Sequence, residues 1–368
     1  MDLHLANPNL KNQEVYFPGL HADWGTALYG IPSYEVAKLG SAENPFGPSP
    51  KAVASITAEL DNVHMYSPWT AEPLREALAA KYGYAPENFV CGSGETEVIA
   101  LIIRAFAEPG GQVLMTRPCF PIYHLFAEAE GRQPVYIDTP TMTCEVDAYI
   151  DAIGPDTRIV FVTNPHSPSG TWLEEADVRR IVEAAPHALV ALDEAYVHYS
   201  DTPGYIHLAA EYDNLIVLRT FSKAFGLAGL RLGFGVAHPN LIPPLLAGKP
   251  TWNVGRLQIA GGSAALTDDE HVDRTITAIL EGKAHATARF AELDRFRLVP
   301  GTRSNFMLIE ILDPDTDSTL VFKDLLERGV IVKDGSVSFR GLEKRYLRSD
   351  INLPHRMDHL VDALADLP

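Results

Sequence analysis

The sequence has few cysteines, and their arrangement does not suit cross-linking. Only Cys91, Cys119 and Cys144 occur in 368 residues, and their odd number and wide spacing argue against a disulfide framework. Their spacing matches no common metal-binding motif, so we expect no metal site. So few cysteines are typical of a reducing compartment, and the sequence therefore predicts a cytoplasmic protein.

Basic residues and long apolar segments are also scarce. The chain has 30 Lys and Arg against 48 Asp and Glu, a formal net charge of −18. Nucleic acids and anionic membranes bind basic patches, so this balance argues against both as partners. No apolar run is long enough to span a membrane, and the start has no signal-peptide pattern. We therefore expect a soluble protein without a membrane anchor.

What the sequence does contain, between about residues 50 and 240, is a repeated alternation of strand and helix patterns. Runs such as RIVFVTN and ALVALDEAY are typical of strands that are buried on both faces. Segments such as ETEVIALIIRAFAE have the apolar spacing of a helix. This alternation predicts an α/β fold with a mostly parallel central sheet.

Changes in composition along the chain predict three regions. Residues 50–250 should form the large α/β domain. Residues 251–368 combine a long helical pattern with the strand patterns NFMLIEI and VIVKD, and they should form a smaller α+β domain. The Pro- and Gly-containing stretch IPPLLAGKPTWN is the candidate boundary. Residues 1–49 should be an irregular arm or part of the small domain.

Polar clusters follow four of the predicted strands: GSGETE, NPHSPSG, DEAY and TFSK. In open α/β sheets, ligands bind beyond the carboxyl ends of the strands. A single polar cluster would be ordinary, but four at the same edge of one sheet predict a ligand site.

Two of these clusters have more than one interpretation. GSGETE leads through glycines into a helix N-terminus, which suits a phosphate, although a tight turn without a ligand fits it equally well. It is not a dinucleotide fingerprint, because Glu97 stands where the third glycine should be. Asp193 ends an apolar strand, and its carboxylate needs either an ion pair within the protein or a protonated ring nitrogen as partner.

The cluster TFSKAFGLAGLR indicates which kind of ligand the site binds. Thr220 and Ser222 offer hydroxyl groups, and Arg231 offers a forked donor suited to phosphate. Lys223 can form a Schiff base with an aldehyde. Together with Asp193 as partner of a ring nitrogen, these groups predict pyridoxal 5'-phosphate (PLP) as the cofactor.

From about residue 38 to 366 the chain resembles the fold-type-I PLP enzymes of the class I and II aminotransferases, and most of all the histidinol-phosphate aminotransferases. SKAFGLAGLRLGF is nearly the family's motif letter for letter and DEAY matches directly, while SAENPFGPSP, MYSPWT, PCFPIY and RYLRSDI are similar to further motifs. The resemblance implies a homodimer that moves an amino group between an amino acid, or a related amine, and a 2-oxo acid.

The resemblance also implies residue roles. Lys223 would bind the cofactor and move a proton, Asp193 would hold the ring nitrogen, and Tyr196 would contact the ring hydroxyl. Arg348 and Asn44 would bind substrate, Arg348 through a carboxylate. The implied cofactor-binding set is Gly94, Glu95 and Thr96 (through their backbone), Phe120, Ser167, Asp193, Tyr196, Thr220, Ser222, Lys223, Arg231 and, reaching the neighbouring subunit, Tyr66.

One departure from the family pattern has a measurable consequence. The family's NPNNPTG appears as NPHSPSG, so Ser167 replaces an asparagine that donates to the ring hydroxyl. A lost hydrogen bond to a charged group is worth about 1.5–3 kcal/mol, so we expect the pKa of the Lys223 imine to rise by at most about two units. A pH titration of the imine absorbance measures this against Ser167→Asn, and equal midpoints would contradict it.

The stretch RSDINLPHR after Arg348 also departs from the family, which leaves the substrate open and favours a specialised biosynthetic pathway. The alternative function is therefore another PLP reaction on the same scaffold: decarboxylation, elimination or oxidation. Release of carbon dioxide, ammonia or peroxide would distinguish these from stoichiometric amino exchange. A PLP-binding regulatory module would need a basic DNA-binding segment, which this acidic chain lacks.

Overall fold

The computed structural model describes residues 6–11 and 13–367. Residues 1–5, 12 and 368, which belong to the predicted arm and the predicted small domain, lie outside the described residues. The helices are α1 Ala22–Tyr29, α2 Pro50–Glu59, α3 Glu72–Tyr82, α4 Glu95–Phe106, α5 Ile122–Ala129, α6 Val146–Ala152, α7 Glu175–Ala184, α8 Ile242–Gly248, α9 Arg256–Ala265, α10 Asp269–Phe290, α11 Ser318–Glu327, α12 Gly335–Ser338 and α13 Pro354–Ala365. The strands are β1 Ala37–Lys38, β2 Phe89–Gly92, β3 Gln112–Arg117, β4 Gln133–Asp138, β5 Thr157–Thr163, β6 Leu189–Asp193, β7 Leu215–Thr220, β8 Gly233–Ala237, β9 Phe296–Leu298, β10 Phe306–Ile311, β11 Val330–Ile331, β12 Lys333–Asp334 and β13 Tyr346–Asp350.

A seven-stranded sheet with the order β2-β8-β7-β6-β5-β3-β4 forms the centre of the fold. Its strands are parallel except β8, which runs antiparallel to both β2 and β7. Successive residues of β5 enter different apolar cores: Val160 and Val162 pack on one side of the sheet, and Ile159 and Phe161 pack on the other. These strand directions confirm the predicted α/β fold with a mostly parallel sheet. Both faces of the central strands are covered, as is usual for parallel sheets.

Helix α4 begins directly after β2 and lies close to the sheet edge. Gly94 is its N-cap and has a φ of +81°, which favours glycine. Gly233 in β8 lies so near the backbone of Glu95 that a Cβ atom there would overlap it. These two glycines bring the N-terminus of α4 to the same edge of the sheet as the ends of β6 and β7.

A second, four-stranded antiparallel sheet has the order β12-β13-β10-β9, and α10 packs against α13 beside it. The segment VIVKD, expected to be one strand, divides between two sheets. Val330–Ile331 pairs in parallel with β1 from the N-terminal region, whereas Lys333–Asp334 pairs with β13. Lys333, in the part that pairs with β13, lines the cavity described below.

The predicted division after residue 250 falls between α8 and α9. Helix α9 packs against α2 and α3, and Ser55 in α2 donates to the backbone oxygen of Ala260 in α9 at 3.1 Å. The domain boundaries stay a prediction. Within the described residues, no helix combines the length and the hydrophobicity that crossing a membrane requires.

Candidate active site

A cavity of about 510 Å³ lies at the carboxyl ends of the parallel strands β5, β6 and β7. Residues of the small antiparallel sheet and of the N-terminal segment also line it. The predicted site residues that line it are Glu95, Thr96, Phe120, Ser167, Asp193, Tyr196, Thr220, Ser222, Lys223, Arg231 and Arg348. The fold thus brings together side chains that are separated by up to 253 residues in the sequence.

Lys223 follows β7 and extends its amine into this cavity. Its Nζ donates to the backbone oxygen of Ser41 at 2.9 Å and lies 5.4 Å from the centre of the Tyr196 ring. Burial, and next the positive charge of Arg348, lower the pKa of Lys223 from 10.5 to about 8. A lysine with such a pKa keeps an appreciable fraction of free amine near neutral pH, which is the nucleophilic form.

Asp193, the last residue of β6, is 3 % exposed. Its Oδ2 accepts a hydrogen bond from the hydroxyl of Tyr123, and its Oδ1 accepts one from the backbone N–H of Ala195 at 3.0 Å. Burial raises the pKa of Asp193 above its ordinary value, and the two hydrogen bonds oppose this rise. The carboxyl group is therefore held in a fixed orientation at the cavity floor.

The turn before α4 and the segment after β7 form one polar pocket within the cavity. The guanidinium of Arg231 lies against Gly94, where any Cβ atom would collide with it. Thr220 Oγ1 accepts from the backbone N–H of Ser222 at 3.1 Å. Free N–H groups at the start of a helix, hydroxyl groups and a guanidinium are together suited to a phosphate.

Ser167 lies in the loop after β5, at the wall of the cavity. Its Oγ is buried and, within the described part of the chain, has no hydrogen-bond partner. The loop itself is well anchored, because His166 contacts Ser169 Oγ at 2.7 Å and Thr116 Oγ1 at 3.1 Å. An unpartnered buried hydroxyl in a fixed loop is an available contact for a ligand.

Arg348 and Lys333 lie opposite each other on the paired strands β13 and β12, and both line the cavity. Arg348 is 4 % exposed, donates to the backbone oxygen of Gly40 at 3.2 Å and lies 3.5 Å from Asp350 Oδ1. Lys333 is 6 % exposed, and its Nζ lies 3.4 Å from the hydroxyl of Tyr16. Burial and the charge of Arg348 lower the pKa of Lys333 to about 7.

Three predicted site residues are not among those that line the cavity in the described structure. Gly94 is the N-cap of α4 and directly precedes Glu95 in the sequence. The Asn44 amide donates to the Ala224 oxygen at 2.9 Å and to Thr275 Oγ1 at 3.1 Å, so it joins the arm to the two main parts of the chain. Tyr66 is 74 % exposed and stacks on Trp252 at 4.1 Å. The ligand contacts predicted for these residues stay predictions.

Several groups that line the cavity were not predicted from the sequence. Lys333 was hidden in a strand pattern, although a lysine that follows three apolar residues is a signal of a buried amine. Tyr16 comes from the arm and has no local motif. Glu95 was assigned through its backbone alone, whereas its side chain also enters the cavity, beside Asp193.

Residues 34–364 match the family model described as aminotransferase class I and II. The chain belongs to this family. It is a PLP-dependent aminotransferase of fold type I, as its motifs predicted.

Curated relatives agree with this assignment. The chain is 36 % identical, over 96 % of each sequence, to a histidinol-phosphate aminotransferase from Symbiobacterium thermophilum. Among solved structures it is similar to the histidinol-phosphate aminotransferase from Sinorhizobium meliloti in complex with PLP, with a TM-score of 0.87, 22 % identity and coverage of 99 % and 97 % of the two chains. The L-threonine-O-3-phosphate decarboxylase from Porphyromonas gingivalis has the same fold, with a TM-score of 0.79, 20 % identity and coverage of 89 % and 98 %.

Proposed function

We propose that the amino donor of this aminotransferase is a phosphate-bearing amine, with histidinol phosphate as the first candidate. The observation that carries the proposal is the pair Lys333 and Arg348, two buried basic side chains on neighbouring strands inside the cavity that contains Lys223. One carboxylate, Asp350, contacts Arg348. A second anionic group on the substrate would balance the remaining charge, and phosphate matches the names of the curated relatives.

The residues of the cavity fit PLP. The Lys223 amine would bind its aldehyde, and Asp193 would accept from its ring N–H. The turn at Glu95 and Thr96, with Arg231, would hold its phosphate. Ser167 and Tyr196 would contact its ring oxygen, and the unpartnered Oγ of Ser167 supports this assignment. The chemistry that the cofactor supplies when bound is an electron-accepting ring in conjugation with the substrate's Cα.

The remaining steps belong to the protein's own side chains. Arg348 and Lys333 orient the donor so that one bond at its Cα faces Lys223. Lys223 Nζ, with its lowered pKa, then takes the proton from Cα as a general base. The phenyl rings of Phe306 and Phe339 lie 4.8 and 5.6 Å from the Arg348 guanidinium and exclude water from it.

A matched pair of donors tests the proposed substrate. Purified holoenzyme is mixed with histidinol phosphate, histidinol, glutamate or alanine, and the change in cofactor absorbance is followed with each. We expect histidinol phosphate to react at a lower concentration than histidinol, and the amino group to appear in an added 2-oxo acid in equal amount. Release of carbon dioxide without amino transfer would instead favour the decarboxylase alternative.

Replacing Lys333 by alanine should raise KM for the phosphate-bearing donor by about tenfold to a hundredfold, since a hydrogen bond to a charged group is worth about 1.5–3 kcal/mol. The KM for histidinol should change little, because histidinol has no phosphate. Lys333→Arg should restore part of the affinity, and Lys344→Ala, which removes an exposed lysine, is the control. Equal increases for both donors would contradict the proposed contact.

We also propose that the enzyme is a homodimer. Exposed apolar side chains support this proposal: Tyr66 stacks on Trp252 at 4.1 Å, and the two line one surface pocket with Val63 and Met65. The family resemblance assigns Tyr66 to the cofactor phosphate of the neighbouring subunit. Light scattering of the protein as it leaves a size-exclusion column should therefore give the mass of two chains.

Tyr66→Phe should weaken cofactor retention by about tenfold, the loss of one hydrogen bond to a charged group, without changing the mass in solution. Retention is measured by dialysis and by the absorbance that remains. Tyr29→Phe, which changes another exposed tyrosine, serves as the control. Unchanged retention in Tyr66→Phe would remove Tyr66 from the site.

We propose a cytoplasmic location. The three cysteines are unpaired, and burial raises the pKa of each thiol to about 12, so each stays in its unreactive form. Microscopy of a tagged chain in the source cells tests this proposal.

A further inference from the structure

Glu95 introduces an acid into the part of the site that would hold the cofactor. Its side chain is 8 % exposed and lines the cavity together with Asp193, and its carboxyl group lies against that of Asp193. Two buried carboxyl groups in contact cannot both be ionised without a large repulsion, so such a pair shares one proton.

The surroundings indicate which carboxyl group holds the proton. Asp193 accepts hydrogen bonds from the Tyr123 hydroxyl and the Ala195 N–H, both of which stabilise its ionised form. No donor reaches Oε1 of Glu95 within residues 6–11 and 13–367. Burial, and next the charge of Asp193, raise the pKa of Glu95 well above its ordinary value. Glu95 is therefore the protonated member.

The other charged and titratable groups near Glu95 do not reverse this assignment. Lys223 favours ionisation of Glu95, but its effect is smaller than those of burial and Asp193. Tyr123 and Tyr196 are neutral at pH 7, because burial raises the pKa of both hydroxyls. The Arg231 guanidinium lies against Gly94, the residue before Glu95, and its charge is not among the main causes that set the pKa of Glu95.

We propose that Glu95 acts as a neutral acid that orients Asp193, and that loss of its proton at alkaline pH weakens cofactor binding. The inference rests on the proposed function, because it takes the turn at Glu95 as the phosphate site. The backbone N–H of Glu95 would hold the phosphate, and a carboxylate on the same residue would repel that dianion. A neutral carboxyl group does not, and it also donates to Asp193.

The test measures the dissociation constant of PLP for the full-length protein from pH 6 upward, to the highest pH at which the protein stays folded. We expect wild-type binding to weaken by about tenfold as the pH rises through the raised pKa of Glu95, and Glu95→Gln to lose less than about twofold over the same range, since glutamine donates to Asp193 but cannot ionise. Lys223 and Lys333 also titrate in this range, but they do so in both proteins. A pH dependence in Glu95→Gln equal to that of the wild type would overturn the proposal.

Glu97→Gln is the matched control in the same turn. Glu97 Oε2 accepts from the Ser93 N–H at 2.6 Å and from Asn253 Nδ2 at 2.7 Å, so its carboxyl group is held by donors of its own. The pH dependence of cofactor binding in this variant should follow the wild type. If the wild type binds no PLP at any pH, the proposed function fails instead, and the next measurement decides the protonation of Glu95.

Infrared spectroscopy of the wild type gives a second readout that needs neither variant activity nor cofactor. A protonated buried carboxyl group has a carbonyl stretching band separate from those of carboxylates. We expect this band at pH 7, its loss as the pH rises toward 9 and beyond, and its absence in Glu95→Gln. A wild-type spectrum at pH 7 without the band would overturn the proposal.

Discussion

Lys223→Ala should lower kcat by about 10⁴-fold, the upper end of what a general base contributes. Alanine removes both the amine that would bind the cofactor's aldehyde and the group that would move the Cα proton. The variant should still bind PLP without a covalent bond, because the contacts proposed for Asp193 and Arg231 remain. Steady-state kinetics and the absorbance of the bound cofactor measure the two effects separately.

The control for Lys223 is a lysine outside the cavity. Lys51 is exposed and donates to the backbone oxygen of Thr267 at 2.6 Å, so Lys51→Ala should keep the wild-type kcat. A small primary amine added to Lys223→Ala should restore part of the activity, since it can enter the space that the side chain leaves. Turnover at the wild-type rate in Lys223→Ala would show that this amine is not the catalytic group.

Asp193→Asn should lower kcat by about 10²–10³-fold, the loss typical of removing one electrostatic contact from a catalytic site. Asparagine has nearly the same shape as aspartate, so the fold and the cavity should persist. It carries no charge, and it cannot keep a bound ring nitrogen in its protonated, electron-accepting form. The KM for the amino donor should change much less than kcat, because Asp193 ends β6 of the central sheet whereas Arg348, the proposed donor contact, belongs to β13 of the small sheet.

An exposed aspartate provides the comparison. Asp138 forms a surface ion pair with Arg117 at 2.7 Å, and such pairs contribute little to stability. Asp138→Asn should therefore leave kcat and the melting temperature close to those of the wild type. If Asp193→Asn retained full kcat while binding PLP, the ring nitrogen would not depend on this carboxylate.

The central sheet could be predicted because its strands are encoded locally. Strands β5, β6 and β7 are short apolar runs that are each followed by polar residues. A strand buried on both faces of a sheet is typically such a continuous apolar run. Lys223 and Asp193 could be predicted for the same reason, since each directly follows or ends such a run. The direction of the strands then places both at one edge of the sheet.

The substrate side of the cavity could not be predicted in this way. Lys333 and Arg348 meet because β12 pairs with β13, and Tyr16 reaches them from a segment more than 300 residues away. Nothing within a few residues of any of these side chains specifies the other two. Their proximity depends on how the N-terminal segment, the four-stranded sheet and the seven-stranded sheet pack together.

The local sequence determined the α/β class and the polar edge of the sheet, because hydrophobic periodicity and glycine turns act over a few residues. For the same reason it determined the lysine, the aspartate and the arginine that indicate PLP as the cofactor. Tertiary packing alone decided that Glu95 touches Asp193, that Lys333 joins Arg348, and that the Asn44 amide is bonded to the protein's own backbone. Those contacts join segments far apart in the chain, and their protonation and charge depend on burial, which no short stretch of sequence encodes.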